Sequence, residues 1–349
     1  MLGFYEHRLA LGADAQPLLR VGALLSEWRL LDCCDYVALG GGGMHGLMYI
    51  GALMALTHYD DGAYRQWRAR LRGVAGTSAG ALVGTMIAAG LTPAEMRGIV
   101  HRMDFAKVLR TALDLSLPDM LAHRAVSSGT SADAVLTAFV TAVCGGVATM
   151  TLCEFAAHCG GVELAVMVTN MRTGCGETWS ARTKPHVLLL HALRCTVAVP
   201  GMLPPYVVDG DEFLDGGVVC NLPLHVYPPA RTLILLTHSA APAPPPSGGA
   251  APPPSLLTMA GSLVVMMFTA AQLGPARTIP HTVWTMVPCV ARSHATAAAL
   301  AGLRFSANPA TLDALMEDGA VAAVSLVLRN VLLLGLVVLG ILRRAQRRE

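Results

Sequence analysis

The sequence predicts an α/β fold with a mostly parallel central sheet, because short apolar strands alternate with helices along the chain. Residues 36–43, YVALGGGG, indicate a buried strand that runs into glycines, and residues 46–56, GLMYIGALMAL, continue with apolar residues at helical spacing. Residues 71–76 and 78–90 repeat the strand and the helix, and Gly90 ends that helix. This alternation favours parallel strands that helices cover on both faces.

The strand pattern continues in the second half of the chain. A hairpin is predicted over residues 206–217, YVVDGDEFLDGG, with Gly210 and Asp211 in its tight turn. Residues 91–150 have a helical pattern, and we expect them to form a cap beside the functional site. Further apolar runs that are typical of buried strands lie at residues 163–170, 231–238 and 282–290.

Composition divides the chain into three parts. We expect residues 1–34 to form an N-terminal helical extension, residues 35–323 a single domain, and residues 324–349 an apolar C-terminal helix with a basic end. The proline-rich tract at 241–255 cannot form a packed core, so it is interpreted as an insertion within the domain. The first 20 residues lack a continuous apolar core after a basic start, so no cleaved secretory signal is predicted.

Charge and cysteine usage disfavour several classes of partner and site. The formal net charge is only +2, and the arginines before the C-terminus are scattered, so nucleic acid is not an expected partner. The nine cysteines form no C-x-x-C pair and show no repeated spacing, which argues against a zinc site or a disulfide framework. We therefore expect reduced thiols in an intracellular protein, with no metal.

An apolar surplus indicates contact with a membrane. Hydrophobic residues make up 54% of the chain, and the mean hydropathy is +0.52. Residues 320–342 would form a helix of roughly 34 Å, long enough to cross a hydrocarbon core of about 30 Å. Arg329 and Asn330 interrupt this segment and arginines follow it, so a helix lying in the cytosolic leaflet fits equally well, and a helix packed on the domain is a third interpretation. Residues 255–274 are a second apolar run.

The pentapeptide GTSAG places Ser78 between two glycines, where a strand ends and a helix begins. A serine hydroxyl is a weak nucleophile unless a base lies within reach and the geometry is held. A strand-to-helix elbow supplies that geometry, provided that Gly76 and Gly80 leave room for the neighbouring backbones. Ser78 is therefore a candidate nucleophile, and the plain alternative is a serine that caps the helix.

The glycine-rich string GGGGMHG, residues 40–46, can supply an oxyanion hole. Glycine lets backbone N–H groups turn outward, and the helix that follows adds the positive end of its dipole. The string also matches the dinucleotide pattern G-x-G-x-x-G, but the acidic candidates Asp60 and Asp61 follow no strand, so that interpretation is weak. The predicted oxyanion donors are the N–H groups of Gly41, Gly42, Gly43 and Met44, with His45 and Gly46 supporting the loop.

Asp215 is the candidate base for Ser78. It follows an apolar strand and precedes Gly216 and Gly217, so its carboxylate is expected on a rigid turn that other backbone can approach closely. A carboxylate in such a position can accept the proton of a serine. An Asp-Gly-Gly sequence by itself indicates only a turn, and its order after the two other motifs gives it weight.

The strings GGGMHG, GTSAG and DGG resemble the three motifs of the patatin-like phospholipase family. The stretch LRCTVAVPGMLPPYVVDGDEFLDGGVVCNLPL, which leads to and includes the aspartate, is also similar to that family, and the resemblance covers residues from about 35 to 323. It implies a three-layer α/β/α fold, a Ser78–Asp215 dyad without histidine, and hydrolysis of acyl esters in membrane lipids such as phospholipids or glycerides. We expect no cofactor.

Two alternatives stay open. The family usually has Arg or Lys in its oxyanion loop where this chain has His45, so a membrane-bound interaction protein with little or no turnover is the second interpretation. A catalytic triad is the other alternative, since Ser78, Asp215 and His238 follow the Ser, Asp, His order found in α/β-hydrolases. The oxyanion motif of this chain differs from the one in α/β-hydrolases. The sequence points to no particular protein partner.

Overall fold

The computed structural model describes residues 30–103, 116–238, 286–290 and 309–326, together with positions 267, 270 and 271. These residues form an eight-stranded sheet with helices around it, so the predicted α/β class with a mostly parallel central sheet is confirmed. The strands are β1 (Tyr36–Leu39), β2 (Gly73–Thr77), β3 (Glu163–Asn170), β4 (Cys175–Trp179), β5 (Tyr206–Val208), β6 (Asp211–Asp215), β7 (Thr232–His238) and β8 (Met286–Val290). The helices are α1 (Leu47–Leu56), α2 (Asp61–Arg68), α3 (Ala79–Ala88), α4 (Pro93–Arg102), α5 (Leu117–His123), α6 (Thr130–Val143), α7 (Leu152–His158), α8 (Leu189–Thr196) and α9 (309–326).

The predicted hairpin is present, but its turn lies one residue earlier than expected. Val208 of β5 already pairs with Asp211 of β6, so Asp211 belongs to the strand and not to the turn. The turn residues are Asp209 and Gly210, which have φ angles of +52° and +84°. Positive φ at both central positions is the turn geometry that matches the twist of a two-residue hairpin, and Asp-Gly is one of the pairs that adopts it.

The centre of the sheet is parallel, and one end of it is antiparallel. β1 pairs in parallel with β2 on one side and with β7 on the other, while β2 continues to β3 and β7 continues to β8 in the same sense. The pairs β3–β4, β3–β6 and β5–β6 are antiparallel. Side chains on both faces of the central strands are buried, as a parallel sheet requires: Val37 faces the main core, whereas Tyr36 stacks on Tyr227 on the other face.

Two strands share one edge of β3 and meet end to end. β4 pairs with residues 166–170 of β3, β2 pairs with residues 163–167, and β6 pairs with residues 168–170. A strand has only two edges, and both β2 and β6 overlap β4 along β3, so both must lie on the edge opposite to β4. Because β2 is parallel to β3 and β6 is antiparallel, their carboxyl ends meet, with Thr77 opposite Met167 and Asp215 opposite Val168.

Helix α9 crosses the domain boundary that the sequence suggests at residue 323. Ala323, Val324 and Leu326 are buried in the main core, so the first residues of the apolar segment 320–342 pack on the domain. Among the described helices, none combines the length and the hydropathy needed to cross a bilayer. The expected N-terminal extension before residue 30, the tract 241–255, most of the run 255–274, and residues 327–349 lie outside the described residues.

Glycines allow α9 to approach α1 closely. A Cβ atom at Gly51 would overlap the carbonyl oxygen of Met316, and one at Gly319 would overlap the carbonyl oxygen of Met48. The two helices are therefore in backbone contact, and any side chain at these two positions would force them apart.

We predict that Gly51→Ala destabilises the fold by roughly 1–3 kcal/mol, because the added methyl group separates α1 from α9 and exposes part of the core. Urea unfolding of the purified variant measures this change. Gly98→Ala is the matched control, since a Cβ there would meet only the end of the Arg102 side chain, at 3.4 Å, within helix α4. Equal stabilities of the two variants would contradict the close packing of α9 on α1.

Candidate active site

Ser78 occupies a strained turn between β2 and α3. Its φ of +52° and ψ of −126° lie in a region that non-glycine residues seldom adopt, and such strain is maintained only where the surrounding structure enforces it. A Cβ atom at Gly76 would lie 2.6 Å from the Cα of Ala81, and one at Gly80 would lie 2.5 Å from the carbonyl oxygen of Gly40. The two glycines of the pentapeptide are therefore required by close backbone approach.

The Ser78 side chain does not cap the helix that it precedes. Ser78 occupies the N-cap position of α3, yet its hydroxyl makes no capping hydrogen bond. The plain alternative of a capping serine is thus not what the structure contains. Only 7% of the residue surface is exposed, so Ser78 is buried.

Asp215 is fixed at the end of β6 and is fully buried. Its Oδ1 accepts a hydrogen bond from the N–H of Gly217 at 2.8 Å, and its own N–H donates to the carbonyl of Ala198 at 2.9 Å. A Cβ atom at Gly216 would overlap the carbonyl oxygen of Met167, so the glycine after the aspartate is also required by close approach to β3. Two hydrogen bonds and the close approach to β3 therefore hold this turn.

Burial raises the pKa of the Asp215 carboxyl to about 7, and hydrogen bonds from the Ser78 hydroxyl and the Gly217 N–H oppose a further rise. The Ser78 hydroxyl thus lies beside the carboxyl. Oδ2 nevertheless makes no hydrogen bond of full geometry with the described residues, so the serine contact is loose. Catalytic hydrogen bonds are often long before substrate binds.

Hydrogen bonds to Thr237 and Asn221 fix the glycine-rich loop at Gly41. The carbonyl oxygen of Gly41 accepts hydrogen bonds from Thr237 Oγ1 at 3.1 Å and from Asn221 Nδ2 at 3.4 Å, and the Gly41 N–H donates to the backbone oxygen of Asn221 at 3.0 Å. In a trans peptide the C=O and the following N–H point in opposite directions. The N–H of Gly42 therefore points away from Thr237 and Asn221.

The structure narrows the predicted set of oxyanion donors. The Gly41 N–H already donates a hydrogen bond to the backbone oxygen of Asn221. Three of the four predicted N–H groups therefore remain as candidate oxyanion donors: those of Gly42, Gly43 and Met44. Gly43 has a φ of +54° and is exposed, and Gly43 and Met44 open a short 3-10 turn, Gly43–Gly46, whose first N–H groups have no acceptor within the turn.

A sequence model of the family described as patatin-like phospholipase matches residues 37–227, which is more than half of the chain. The chain belongs to the patatin-like phospholipase family. An uncharacterized NTE family protein of Mycobacterium tuberculosis is 31% identical over 192 residues, which cover 54% of this chain and 44% of the relative. An uncharacterized protein of Acanthamoeba polyphaga mimivirus is 21% identical over 194 residues, 55% of this chain and 60% of the relative. The chain therefore spans about half the length of the curated relatives that it matches.

The likeness extends to a solved structure of the same fold. VipD from Legionella pneumophila superposes with a TM-score of 0.52 and 16% sequence identity, over 84% of this chain and 66% of VipD. At this identity the likeness concerns the fold alone.

The residue that departs from the usual motif of this family is buried. His45 is only 2% exposed, within the 3-10 turn that follows the glycines. A Cβ atom at Gly46 would lie 2.8 Å from the Cβ of Ala79, so the glycine lets the loop pack against the first residue of α3. The His45 side chain is therefore enclosed by the protein.

The acidic residues considered for dinucleotide binding lie elsewhere. Asp60 is the N-cap of α2, and its Oδ1 accepts a hydrogen bond from the Gly62 N–H at 2.8 Å. Asp61 is the first residue of the same helix, so neither carboxylate follows a strand. The geometry gives no support to the dinucleotide interpretation.

The backbone of His238 lies on a different strand from those that carry the serine and the aspartate. His238 ends β7, which is separated from β2 by β1, whereas Asp215 lies in line with β2 on the edge of β3. Two strand spacings correspond to about 10 Å. The Ser78 hydroxyl lies beside the Asp215 carboxyl, so the sheet topology gives no support to the triad.

Three polar residues beside the motifs were not singled out from the sequence. Asn221 and Thr237 hold the glycine loop, and Thr196 accepts a hydrogen bond from the Ser78 N–H at 2.9 Å. Asn221 follows Asp215 by six positions, in the stretch FLDGGVVCNLP, and Thr196 lies in the family-like stretch LRCTVAVPG. Their positions could have been noted in the sequence, but their partners are main-chain groups that no sequence pattern identifies.

We predict that Asp215→Asn gains stability relative to the parent protein as the pH rises from 5 to 8. The parent carboxyl keeps its proton up to about 7 when folded but releases it near its ordinary value of 3.8 when unfolded. The stabilising contribution of the carboxyl is therefore fully present below the unfolded pKa and is lost as the pH rises through the folded pKa. Asn does not titrate, so the difference in unfolding free energy should grow by roughly 1–4 kcal/mol over this range.

Urea unfolding of both proteins at several pH values measures this difference. A difference that stays constant between pH 5 and pH 8 would contradict a buried Asp215 with a raised pKa.

Proposed function

We propose that this chain is a serine lipid acyl hydrolase that works through a Ser78–Asp215 dyad. The observation that carries the proposal is the contact of the Ser78 hydroxyl, held in a strained elbow, with a fully buried carboxyl whose pKa is about 7. A general base is most effective when its pKa lies near the operating pH. Burial thus gives the aspartate a basicity that other hydrolases obtain from histidine.

The proposed reaction has two halves that use the same groups. Ionised Asp215 takes the proton of Ser78 as Oγ attacks the carbonyl carbon of an ester, and the N–H groups of Gly42, Gly43 and Met44 receive the developing oxyanion. The carbon–oxygen bond to the leaving alcohol breaks, and Asp215 returns the proton to that alcohol. Water then attacks the acyl-serine with Asp215 again as base, which releases the fatty acid and restores Ser78.

Membership of the family supports a lipid ester as the substrate class. The relative of Mycobacterium tuberculosis carries an NTE family name without an assigned activity, so it does not narrow the substrate further. The departure at His45 favours one other candidate, an interaction protein that keeps the fold with little turnover. Reactivity of Ser78 separates the two functions.

We predict that a fluorophosphonate probe labels the full chain, and that Ser78→Ala abolishes the labelling. Because Asp215 must be ionised to accept the proton, the labelling rate should rise with pH through about 7. Asp215→Asn should reduce the rate by roughly 100-fold or more, since a positioned base typically contributes 10²–10⁴-fold. His238→Ala should label at a rate close to that of the parent protein.

Gel fluorescence and mass spectrometry of the labelled peptide give the rates and the site. The absence of any labelling of the folded parent protein would support the interaction protein instead. Loss of labelling in His238→Ala, with intact folding, would support the triad.

We also propose that the protein associates with membranes through the apolar residues after α9. The described part of the helix buries residues up to Leu326 in the domain, so at most residues 327–342 of the apolar segment are available to the bilayer. A helix of that length would extend roughly 24 Å, shorter than the hydrocarbon core of about 30 Å. This favours a segment that lies in the interface over one that spans the bilayer.

We predict that a variant without residues 327–349 loses sedimentation with lipid vesicles but keeps hydrolysis of a water-soluble ester. Apolar burial resists salt, whereas the attraction of the terminal arginines to anionic lipid is screened. Binding of the full chain that persists at high salt therefore indicates the apolar segment. Unchanged vesicle binding of the truncated variant would contradict this proposal.

A further inference from the structure

A side-chain hydroxyl is inserted into the ladder between β2 and β3 at the position of the proposed nucleophile. The two strands run in parallel with Thr77 opposite Met167, so continuation of the ladder would place the Ser78 N–H on the carbonyl oxygen of Met167. The Ser78 N–H instead donates to Thr196 Oγ1 at 2.9 Å, and Thr196 Oγ1 donates to the Met167 oxygen at 2.6 Å. The hydroxyl thus replaces one ladder hydrogen bond by two.

The insertion lies where β2 ends and β6 begins along β3. Asp215 is opposite Val168, the residue after Met167, so a ladder that continued past Thr77 would occupy the place where the base enters. Thr196 holds Ser78 away from Met167 by one hydroxyl while it keeps both main-chain groups satisfied. Thr196 itself is fully buried at the end of α8, so water does not compete for these hydrogen bonds.

The direction of the two hydrogen bonds is fixed. The single hydroxyl proton goes to Met167, which leaves the lone pairs of Oγ1 to face the Ser78 N–H. An acceptor on this N–H helps to maintain the φ of +52° that directs the Ser78 side chain out of the strand.

We propose that Thr196 is a positioning residue for the nucleophile: its hydroxyl sets the orientation of Ser78 and its separation from Asp215. This inference rests on the proposed function, since it assigns Thr196 a part in the same reaction. Thr196 touches no reacting atom and acts only through the main chain of Ser78.

The test compares substitutions that keep the hydroxyl with substitutions that remove it. Thr196→Val removes it, Thr196→Ser keeps it, and Thr85→Val removes another fully buried threonine hydroxyl, which donates to the Ala81 carbonyl at 2.8 Å within α3 and does not reach Ser78. For each variant the measurements are the melting temperature, kcat and KM for a water-soluble ester, the rate of fluorophosphonate labelling, and the pH profile of that rate.

Thr196→Val should lower kcat and the labelling rate by roughly 10- to 100-fold with little change in KM, as expected when a reacting group is misplaced by about 1 Å. The ascending limb of its pH profile should move to higher pH, because a weaker contact with the Ser78 hydroxyl lets the pKa of the buried Asp215 rise. Burial raises that pKa, and the Ser78 hydroxyl and the Gly217 N–H lower it. Thr196→Ser should restore both the rate and the pH profile, and Thr85→Val should resemble the parent protein.

Two results would overturn the inference: a Thr196→Val protein with the rate and pH profile of the parent, or one whose losses are matched by Thr85→Val. If Thr196→Val does not fold, Thr196→Cys carries the same test, since the thiol fills the space but is a weak acceptor. Absence of labelling in the parent protein itself would refute the proposed function. A labelled parent whose Thr196 variants have the same labelling rate and pH profile would refute only the role of Thr196.

Discussion

One edge of strand β3 is shared by two strands that approach it from opposite ends, and the site depends on this arrangement. The carboxyl ends of β2 and β6 meet on this edge because β4 occupies the opposite edge along residues 166–170 of β3. At this meeting point Ser78 and Asp215, which are more than a hundred residues apart in the sequence, lie side by side. It also interrupts the regular ladder, and the polar groups freed by that interruption are taken up by Thr196.

The same crowding determines the chemistry of the aspartate. A carboxyl enclosed at this junction loses its hydration, which costs free energy when it is charged and raises its pKa to about 7. Two hydrogen bonds limit the rise, so the group can hold a proton or release it near neutral pH. The strained φ of Ser78 and the buried carboxyl therefore both destabilise the folded state at the site. Close backbone contacts at Gly76, Gly80 and Gly216 keep the two groups in place.

Much of the fold could be predicted because its signals are local. Residues 163–170 form β3 with the bounds that their apolar run indicates, and the glycines of the elbow are required for the steric reason that the motif implies. Strand β4 was not predicted, since Cys175–Trp179 has exposed and polar positions that resemble a loop. The hydrogen bond from the Gly41 N–H to Asn221 and the packing of Ala323, Val324 and Leu326 in the core depend on tertiary contacts, which no sequence pattern encodes.

The most direct test of the central claim is a crystal structure of the full chain after reaction with a fluorophosphonate. We expect a phosphorus bonded to Ser78 Oγ, a phosphoryl oxygen within hydrogen-bond distance of the Gly42 or Gly43 N–H, and the Asp215 carboxyl beside Oγ with no imidazole between them. An adduct on another residue, an Asp215 side chain directed away from Ser78, or a histidine inserted between the two would contradict it.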